Sequence, residues 1–263
     1  MDSKVIDQLI DDAGLSAQTS AIHKLYNHLI NQKIITSPSQ IKLTSSSGSS
    51  VVVLLNNKDH DRVYQCYFNR ATYNQICQMM DIAKKNAQQS IDYSMVTIRP
   101  RTEVKFNIEY NFNDYRVCAL EYWPLLQTIV WEKIIPITQI STDYIKKHID
   151  QLIWDFMKAI NGFHQIGYVH ADCGFDNIGL KNGRFVLFDY NLSHLAEDKD
   201  QYKHDYYLFK KSCLYNIPTE SDKIPSNFHD YKYFLLTLKN HSQPTYNQII
   251  EKLEKNERTL VPL

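Results

Sequence analysis

A histidine, two aspartates and an asparagine lie close together in the stretch GYVHADCGFDNIGLKNGRFVLFDYNL, residues 167–192. His170, Asp172 and Asn177 have the spacing H-x-D-x-x-x-x-N, and Asp189 ends an apolar run twelve positions after Asn177. Carboxylate and amide oxygens suit Mg²⁺, which completes its shell with water and phosphate oxygens. A carboxylate that stays off the metal can orient a hydroxyl for attack. The pattern indicates phosphoryl-transfer chemistry, the alternative being aspartates that only cap turns.

The elements around these residues predict how they are positioned. Apolar residues at helical spacing predict a long helix over 142–166, which ends at Gly167. Short strands are predicted at 168–170, 177–180 and 184–188, with Asn182-Gly183 as a tight turn between the last two. If those two strands pair, Asp172, Asn177 and Asp189 lie at one edge of the hairpin and share a ligand.

The rest of the chain supplies a sheet-rich first half and a helix-rich second half. Amphipathic patterns predict helices at 3–13 and 20–34. The elements predicted after Ser37-Pro38 are strands at 41–44, 50–55 and 62–68, a helix at 71–90, and strand character over 93–135. From Tyr202 onward the sequence is typical of helices, interrupted by a loop at 217–227.

In these residues the chain resembles the protein kinase-like superfamily, whose members carry H-R-D-x-x-x-x-N and then a strand that ends in D-F-G. Here the corresponding residues are His170-Ala171-Asp172, Asn177 and Asp189-Tyr190-Asn191. The resemblance implies that Asp172 is the catalytic base and that Asn177 and Asp189 hold Mg²⁺. It also implies that His170 supports the catalytic loop.

Further parts of the chain fit the same resemblance. Asp205 stands where the family has an aspartate that braces the catalytic loop. The segment TSSSGSSVVV has the place of the phosphate-covering hairpin, so Ser47, Gly48 and Ser49 are candidate ATP ligands. The strand TIVWEKI corresponds to the hinge, where adenine bonds to backbone around Trp131 to Lys133.

Several departures from the family pattern concern the nucleotide and the acceptor. The strand lysine is expected within RVYQCYF, where Gln65 and Cys66 stand, and the 71–90 helix offers only Asp81 as an acidic partner. Lys42 is therefore the candidate phosphate-binding cation, with Arg70 and Lys105 as alternatives. Ala171 replaces the arginine that meets a phosphorylated activation loop. Only fifteen residues separate Asp189 from Asp205, a spacing that also resembles small-molecule phosphotransferases of the aminoglycoside and choline kinase type.

Composition excludes several classes of function. Lys+Arg and Asp+Glu are equal at 29 each, so no overall positive charge favours nucleic acid or an anionic membrane. The five cysteines are odd in number and lack C-x-x-C spacing, which argues against a zinc site or a disulfide framework. No apolar run is long enough for a membrane span and the N-terminus lacks a signal-peptide pattern, so we expect a reducing, cytoplasmic location.

These observations and the resemblance together predict an α+β protein with a bilobal kinase-like fold. The expected parts are a helical extension (1–37), a small antiparallel-sheet lobe (38–135) and a helical lobe (136–263). The expected activity is transfer of the ATP γ-phosphate to a hydroxyl, with protein serine or threonine as the expected acceptor. Two alternatives stay open: a pseudokinase that acts as a protein-binding module, and a small-molecule phosphotransferase.

Overall fold

The computed structural model describes residues 2–46, 48–56, 61–94, 105–198, 201–202, 204–205 and 208–209. The helices are α1 (Asp2–Asp12), α2 (Thr19–Asn31), α3 (Arg70–Lys85), α4 (Thr142–Lys147) and α5 (Ile149–Gln165). The strands are β1 (Ile41–Ser46), β2 (Ser50–Leu55), β3 (Arg62–Tyr67), β4 (Gln88–Ser94), β5 (Lys105–Asn111), β6 (Ala119–Trp123), β7 (Thr128–Glu132), β8 (Ile135–Pro136), β9 (Tyr168–Val169), β10 (Ile178–Lys181), β11 (Arg184–Leu187) and β12 (His194–Leu195). The predicted α+β class is confirmed.

The chain forms two compact units, which we call unit 1 (residues 1–81 and 117–134) and unit 2 (residues 82–116 and 135–263). The predicted lobes divided the chain near residue 135, and the structure adds that the segment 82–116 groups with the second half. The predicted loop at 217–227 lies outside the described residues.

Unit 1 is built on an antiparallel sheet of five strands in the order β1-β2-β3-β7-β6. The hairpin strands β1 and β2 pair from Ile41–Leu55 to Ser46–Ser50, close to the predicted bounds. Helix α3 follows β3 directly and begins close to its predicted start at 71. The predicted end at 90 is wrong, because α3 ends at Lys85 and the chain from Gln88 pairs with β5 as strand β4.

The two N-terminal helices pack on one face of this sheet. Their buried stripes join the alternating inward residues of the strands in a single apolar core, whose members include Ile6, Ile10, Ile22, Leu25, Leu29, Leu43, Val51, Val53, Tyr64 and Cys66. The extension predicted at 1–37 therefore covers apolar sheet surface that water would otherwise reach.

Unit 2 is centred on α5, which buries Leu152, Phe156, Ile160 and Phe163. The predicted 142–166 helix is two helices, because His148 leaves the helical region (φ −114°, ψ 27°). The Tyr144 and His148 rings pack 4.3 Å apart at this break, and apolar spacing alone does not register such a one-residue interruption. None of the helices within the described residues is long and apolar enough to cross a bilayer.

Gly162 lets the segment after β5 approach α5 closely. A Cβ atom at Gly162 would lie well inside contact distance of the Phe112 ring. The Phe112 ring also meets the Phe163 ring edge-on at 5.2 Å. Helix α5 is thus anchored along its last turns, immediately before the loop that carries the candidate site.

Candidate functional site

The loop after α5 is fixed by one buried carboxylate, that of Asp205. Its Oδ2 accepts hydrogen bonds from the backbone N–H of His170 (2.9 Å) and from His164 Nε2 (3.0 Å). Its Oδ1 accepts from the backbone N–H of Ala171 (2.8 Å). Asp205 is 0% exposed, so these donors replace its hydration. The backbone of residues 170 and 171 is therefore held at two consecutive peptide groups.

The pKa of Asp205 shows that its donors outweigh its burial. Burial alone would raise this pKa, but the hydrogen bond and the charge of His164 and the contacts with His170 lower it overall. Asp205 is therefore a carboxylate at neutral pH and a strong acceptor for the loop backbone.

His170 is a neutral structural residue in this loop. Its Nε2 bonds to the backbone oxygen of Phe188 at 3.0 Å, and because a carbonyl can only accept, Nε2 carries the proton. Its Nδ1 is then free to accept from the backbone N–H of Asp172 at 3.3 Å. Complete burial lowers the pKa of His170 despite the nearby carboxylates, which agrees with the neutral tautomer.

Asn177 and Asp172 are directly hydrogen-bonded. Asn177 Nδ2 donates to the Asp172 backbone oxygen and to Asp172 Oδ2, both at 2.9 Å. Both bonds use the amide nitrogen, so the carbonyl end of the Asn177 side chain is kept as an acceptor. One oxygen of Asp172 is held by the amide while its carboxylate stays partly exposed.

Asp189 is connected to the same loop through the backbone of Phe188, the residue before it. The backbone N–H of Phe188 donates to the Asn177 backbone oxygen at 3.0 Å, and its carbonyl accepts from His170. These bonds extend the register of the β10–β11 hairpin, whose turn at Asn182-Gly183 has the predicted positive φ values of 50° and 76°. The backbone at residue 188 is thus fixed from both sides, which sets where the Asp189 side chain begins.

Two residues of the site have backbone conformations that L-residues rarely adopt. Ala171 has φ 63° and Asp189 has φ 61°. Residues other than glycine pay a steric cost in this region, and they keep it only where the surroundings over-determine the backbone. Here the bonds from Asp205 and around Phe188 do so. Such positions cluster at functional sites.

The oxygen donors at this site are of the chemical types that bind magnesium when water and phosphate complete its shell. Among the described residues, no group of three His, Cys, Asp or Glu side chains could hold a metal. The candidate ligands instead combine the Asp189 carboxylate with the amide oxygen of Asn177. Mg²⁺ in phosphotransferases is commonly bound by one or two protein groups, with phosphate and water as the remaining ligands.

The chain after Asp189 is tied back to the start of the loop. Tyr190 is buried, and its hydroxyl donates to the Leu187 backbone oxygen at 2.6 Å. Ser193, also buried, donates through Oγ to the His170 backbone oxygen at 3.2 Å. Strand β12 then pairs with β9, and the N–H of Ala196 donates to the Gly167 oxygen at 2.9 Å. These contacts fix the position of the Asp189 segment.

Unit 1 holds the residues predicted to contact ATP phosphates. Lys42 is exposed on β1, and the strand pairing places it on the same sheet face as Gln65. Gly48 is exposed with φ 73°, the conformation that a tight turn at the tip of the β1–β2 hairpin requires. Ser49 follows it, half-buried, and Ser47 lies outside the described residues.

The strand residues predicted to bind adenine already use part of their backbone. The N–H of Lys133 donates to the Asp61 oxygen at 2.7 Å, and the N–H of Glu132 donates to the Cys118 oxygen at 3.2 Å. Trp131 pairs with β3 on one side and β6 on the other. An adenine bound here would have to displace one of these bonds or use a carbonyl group.

Two residues that support the site were not predicted from the sequence. His164, in the last turn of α5, bonds to Asp205, and a polar residue on the buried face of that helix was the available signal. Ser193 is the second of these residues, and no feature of the sequence predicts its role. The predicted site residues of unit 2, His170, Asp172, Asn177, Asp189 and Asp205, lie in one hydrogen-bonded region.

No protein-family model matches the chain, and a search of curated proteins finds no significant match.

Proposed function

We propose that the chain is a kinase-like phosphotransferase that moves the γ-phosphate of ATP to a hydroxyl acceptor. One observation carries the proposal: Asn177 orients Asp172 through two bonds of 2.9 Å, within a loop that Asp205 and His170 fix to the backbone beside Asp189. A turn-capping role explains each residue singly, but not a partly exposed carboxylate that the Asn177 amide orients in a loop bonded to the residue before Asp189.

In the proposed reaction, Asp172 accepts the proton of the acceptor hydroxyl. The hydroxyl oxygen forms a bond to the γ-phosphorus, the bond from that phosphorus to the β-phosphate oxygen breaks, and ADP leaves. Asn177 and Asp189 would hold Mg²⁺, which when bound offsets the negative charge of the phosphates. Ser47, Gly48, Ser49 and Lys42 are the proposed phosphate contacts in unit 1, and Trp131 to Lys133 is the proposed adenine contact.

The acceptor is a serine or threonine hydroxyl of a protein or a hydroxyl of a small molecule. The test is ADP release and phosphate incorporation by the purified chain with labelled ATP and Mg²⁺, with protein acceptors and with small hydroxyl compounds. We expect Asp172→Asn to lower turnover by about 10²–10⁴-fold, the usual contribution of a general base. Asp176→Asn, at an exposed position in the same loop, is the control and should keep wild-type turnover.

A second candidate is a pseudokinase that contacts another protein without transferring phosphate. It is favoured by Gln65, which stands on β3 where the family's strand lysine is expected and which is buried. An absence of ATP turnover in the experiment above, together with no change in melting temperature on adding Mg²⁺ and ATP, would refute the first candidate and favour this one.

A further inference from the structure

A chain of hydrogen bonds between buried polar side chains joins β2 to β3 in unit 1. Gln65 Nε2 donates to Ser50 Oγ at 2.9 Å, and the Tyr67 hydroxyl donates to Gln65 Oε1 at 2.8 Å. Ser50 and Tyr67 are 0% exposed and Gln65 is 7% exposed. Both ends of the Gln65 amide are therefore used inside the protein.

This arrangement holds the end of the β1–β2 turn. Ser50 is the first residue of β2 and pairs with Tyr67 of β3. The backbone oxygen of the preceding residue, Ser49, accepts from the N–H of Phe68 at 3.0 Å. The side-chain bond from Gln65 and this backbone bond together fix Ser49 and Ser50 to β3, immediately after the positive-φ residue Gly48.

The same arrangement extends from β3 to α3. The Tyr67 ring lies 6.3 Å from the Tyr73 ring, which is on the first turns of α3. Tyr73 is itself buried, and its hydroxyl interacts with Cys77 one turn further along α3. The contact shown between β3 and α3 is ring packing between the neutral side chains of Tyr67 and Tyr73, where a lysine–glutamate ion pair is expected in the family.

We propose that Gln65 is a positioning residue for nucleotide binding, which holds Ser50 and thereby fixes the Gly48–Ser50 backbone. The inference rests on the proposed function, which gives this turn to the ATP phosphates. A lysine would contact a phosphate directly, whereas Gln65 acts on the peptide groups of the turn. A turn that is already ordered binds its ligand without the entropy cost of ordering it.

The test compares the full-length variants Gln65→Leu and Ser50→Ala, and their combination, with wild type. Hydrogen–deuterium exchange is measured over residues 48–50, and the KM for ATP is measured beside kcat. Each single variant should speed exchange at these residues and raise the KM for ATP about fivefold to tenfold, the effect of one ordinary hydrogen bond. kcat should stay within about twofold, and the double variant should match the single ones because both remove the same bond.

Cys66→Ala is the matched control, because Cys66 is the next residue of β3 and its side chain joins the core on the opposite sheet face. It should lower the melting temperature while leaving exchange at 48–50 and the KM for ATP unchanged. Unchanged exchange in Gln65→Leu, or equal acceleration in Cys66→Ala, would overturn the positioning role. Hydrogen–deuterium exchange is measured without ATP. If the wild-type protein shows no ATP turnover, the proposed function is refuted, and the exchange rates at residues 48–50 alone decide whether Gln65 fixes the turn.

Discussion

The candidate loop of unit 2 and the β1–β3 region of unit 1 differ in the charge of their buried hydrogen-bonded side chains. In unit 2 a buried carboxylate, Asp205, accepts three hydrogen bonds and fixes a loop that carries further acidic and amide side chains. In unit 1 the strand in which a lysine was expected carries Gln65, a buried, uncharged side chain bonded to two hydroxyl groups. Buried charge is stable only with such partners. If phosphate is bound, most of the charge that acts on it would come from a metal held by unit 2.

Beyond the loss expected for Asp172→Asn, a large effect is expected at Asp189, and it tests whether the charge-dependent chemistry resides in unit 2. Asp189→Asn should lower Mg²⁺-dependent ATP turnover by about 10²-fold or more, since a bound metal stabilises transferring phosphoryl groups by several kcal/mol. It should also remove the rise in melting temperature on adding Mg²⁺ and ATP. Turnover that survives in Asp189→Asn would assign the metal to other residues.

The next effect concerns the stability of unit 2. Asp205→Asn replaces one carboxylate oxygen with an amide N–H donor that must face at least one of the donors from residues 164, 170 and 171, so we expect a loss of about 3 kcal/mol in the free energy of unfolding. Urea unfolding at pH 7 measures it. Asp198→Asn, at an exposed position, should change the free energy by about 0.5 kcal/mol or less. An equal loss in the two variants would show that Asp205 does not hold the loop as described.

A smaller, pH-dependent effect is expected at Asp155, a buried carboxyl on α5. Burial raises its pKa to about 6, although the Phe185 N–H and the charge of Arg184 act in the opposite direction. Between about pH 4 and 6 the folded chain therefore binds a proton that the unfolded chain releases, and stability falls as pH rises through this window. The loss attributable to Asp155 is about 2–3 kcal/mol.

Urea unfolding at several pH values checks this assignment. The difference in stability between wild type and Asp155→Asn should change between about pH 4 and 6 and be constant above about pH 7. Asp143→Asn, exposed on α4, is the control and should leave the wild-type pH dependence in this window intact. A pH-independent difference for Asp155→Asn would contradict the raised pKa.

The smallest effect is expected at Lys42, and it tests whether a charged side chain of unit 1 contributes to ATP binding. Lys42 is exposed, and a solvated charge contributes about 1 kcal/mol or less, so Lys42→Ala should raise the KM for ATP by at most about fivefold. Lys24→Ala, exposed on α2, is the control with no expected change. A hundredfold rise for Lys42→Ala would show that unit 1 does supply the missing cation.

Local patterns predicted most elements in both units, because periodicity and turn residues act over a few positions. The helices at 3–13 and 20–34 and the Asn182-Gly183 turn are examples. Spacing in H-x-D-x-x-x-x-N also predicted which residues of unit 2 meet. The bond from His164 to Asp205, the break at His148 and the approach of Phe112 to Gly162 were not predictable, since they depend on contacts set by packing distant segments together.

Binding of one divalent ion by Asn177 and Asp189, beside Asp172, is the basis of the proposed function. Crystals grown with Mn²⁺ and a non-hydrolysable ATP analogue would test it, with the metal located by anomalous scattering. We expect a metal peak at roughly 2.0–2.2 Å from an Asp189 carboxylate oxygen and from Asn177 Oδ1, the separation typical of a small divalent ion. A metal and analogue bound away from these oxygens, or nucleotide that never binds under saturating conditions, would contradict it.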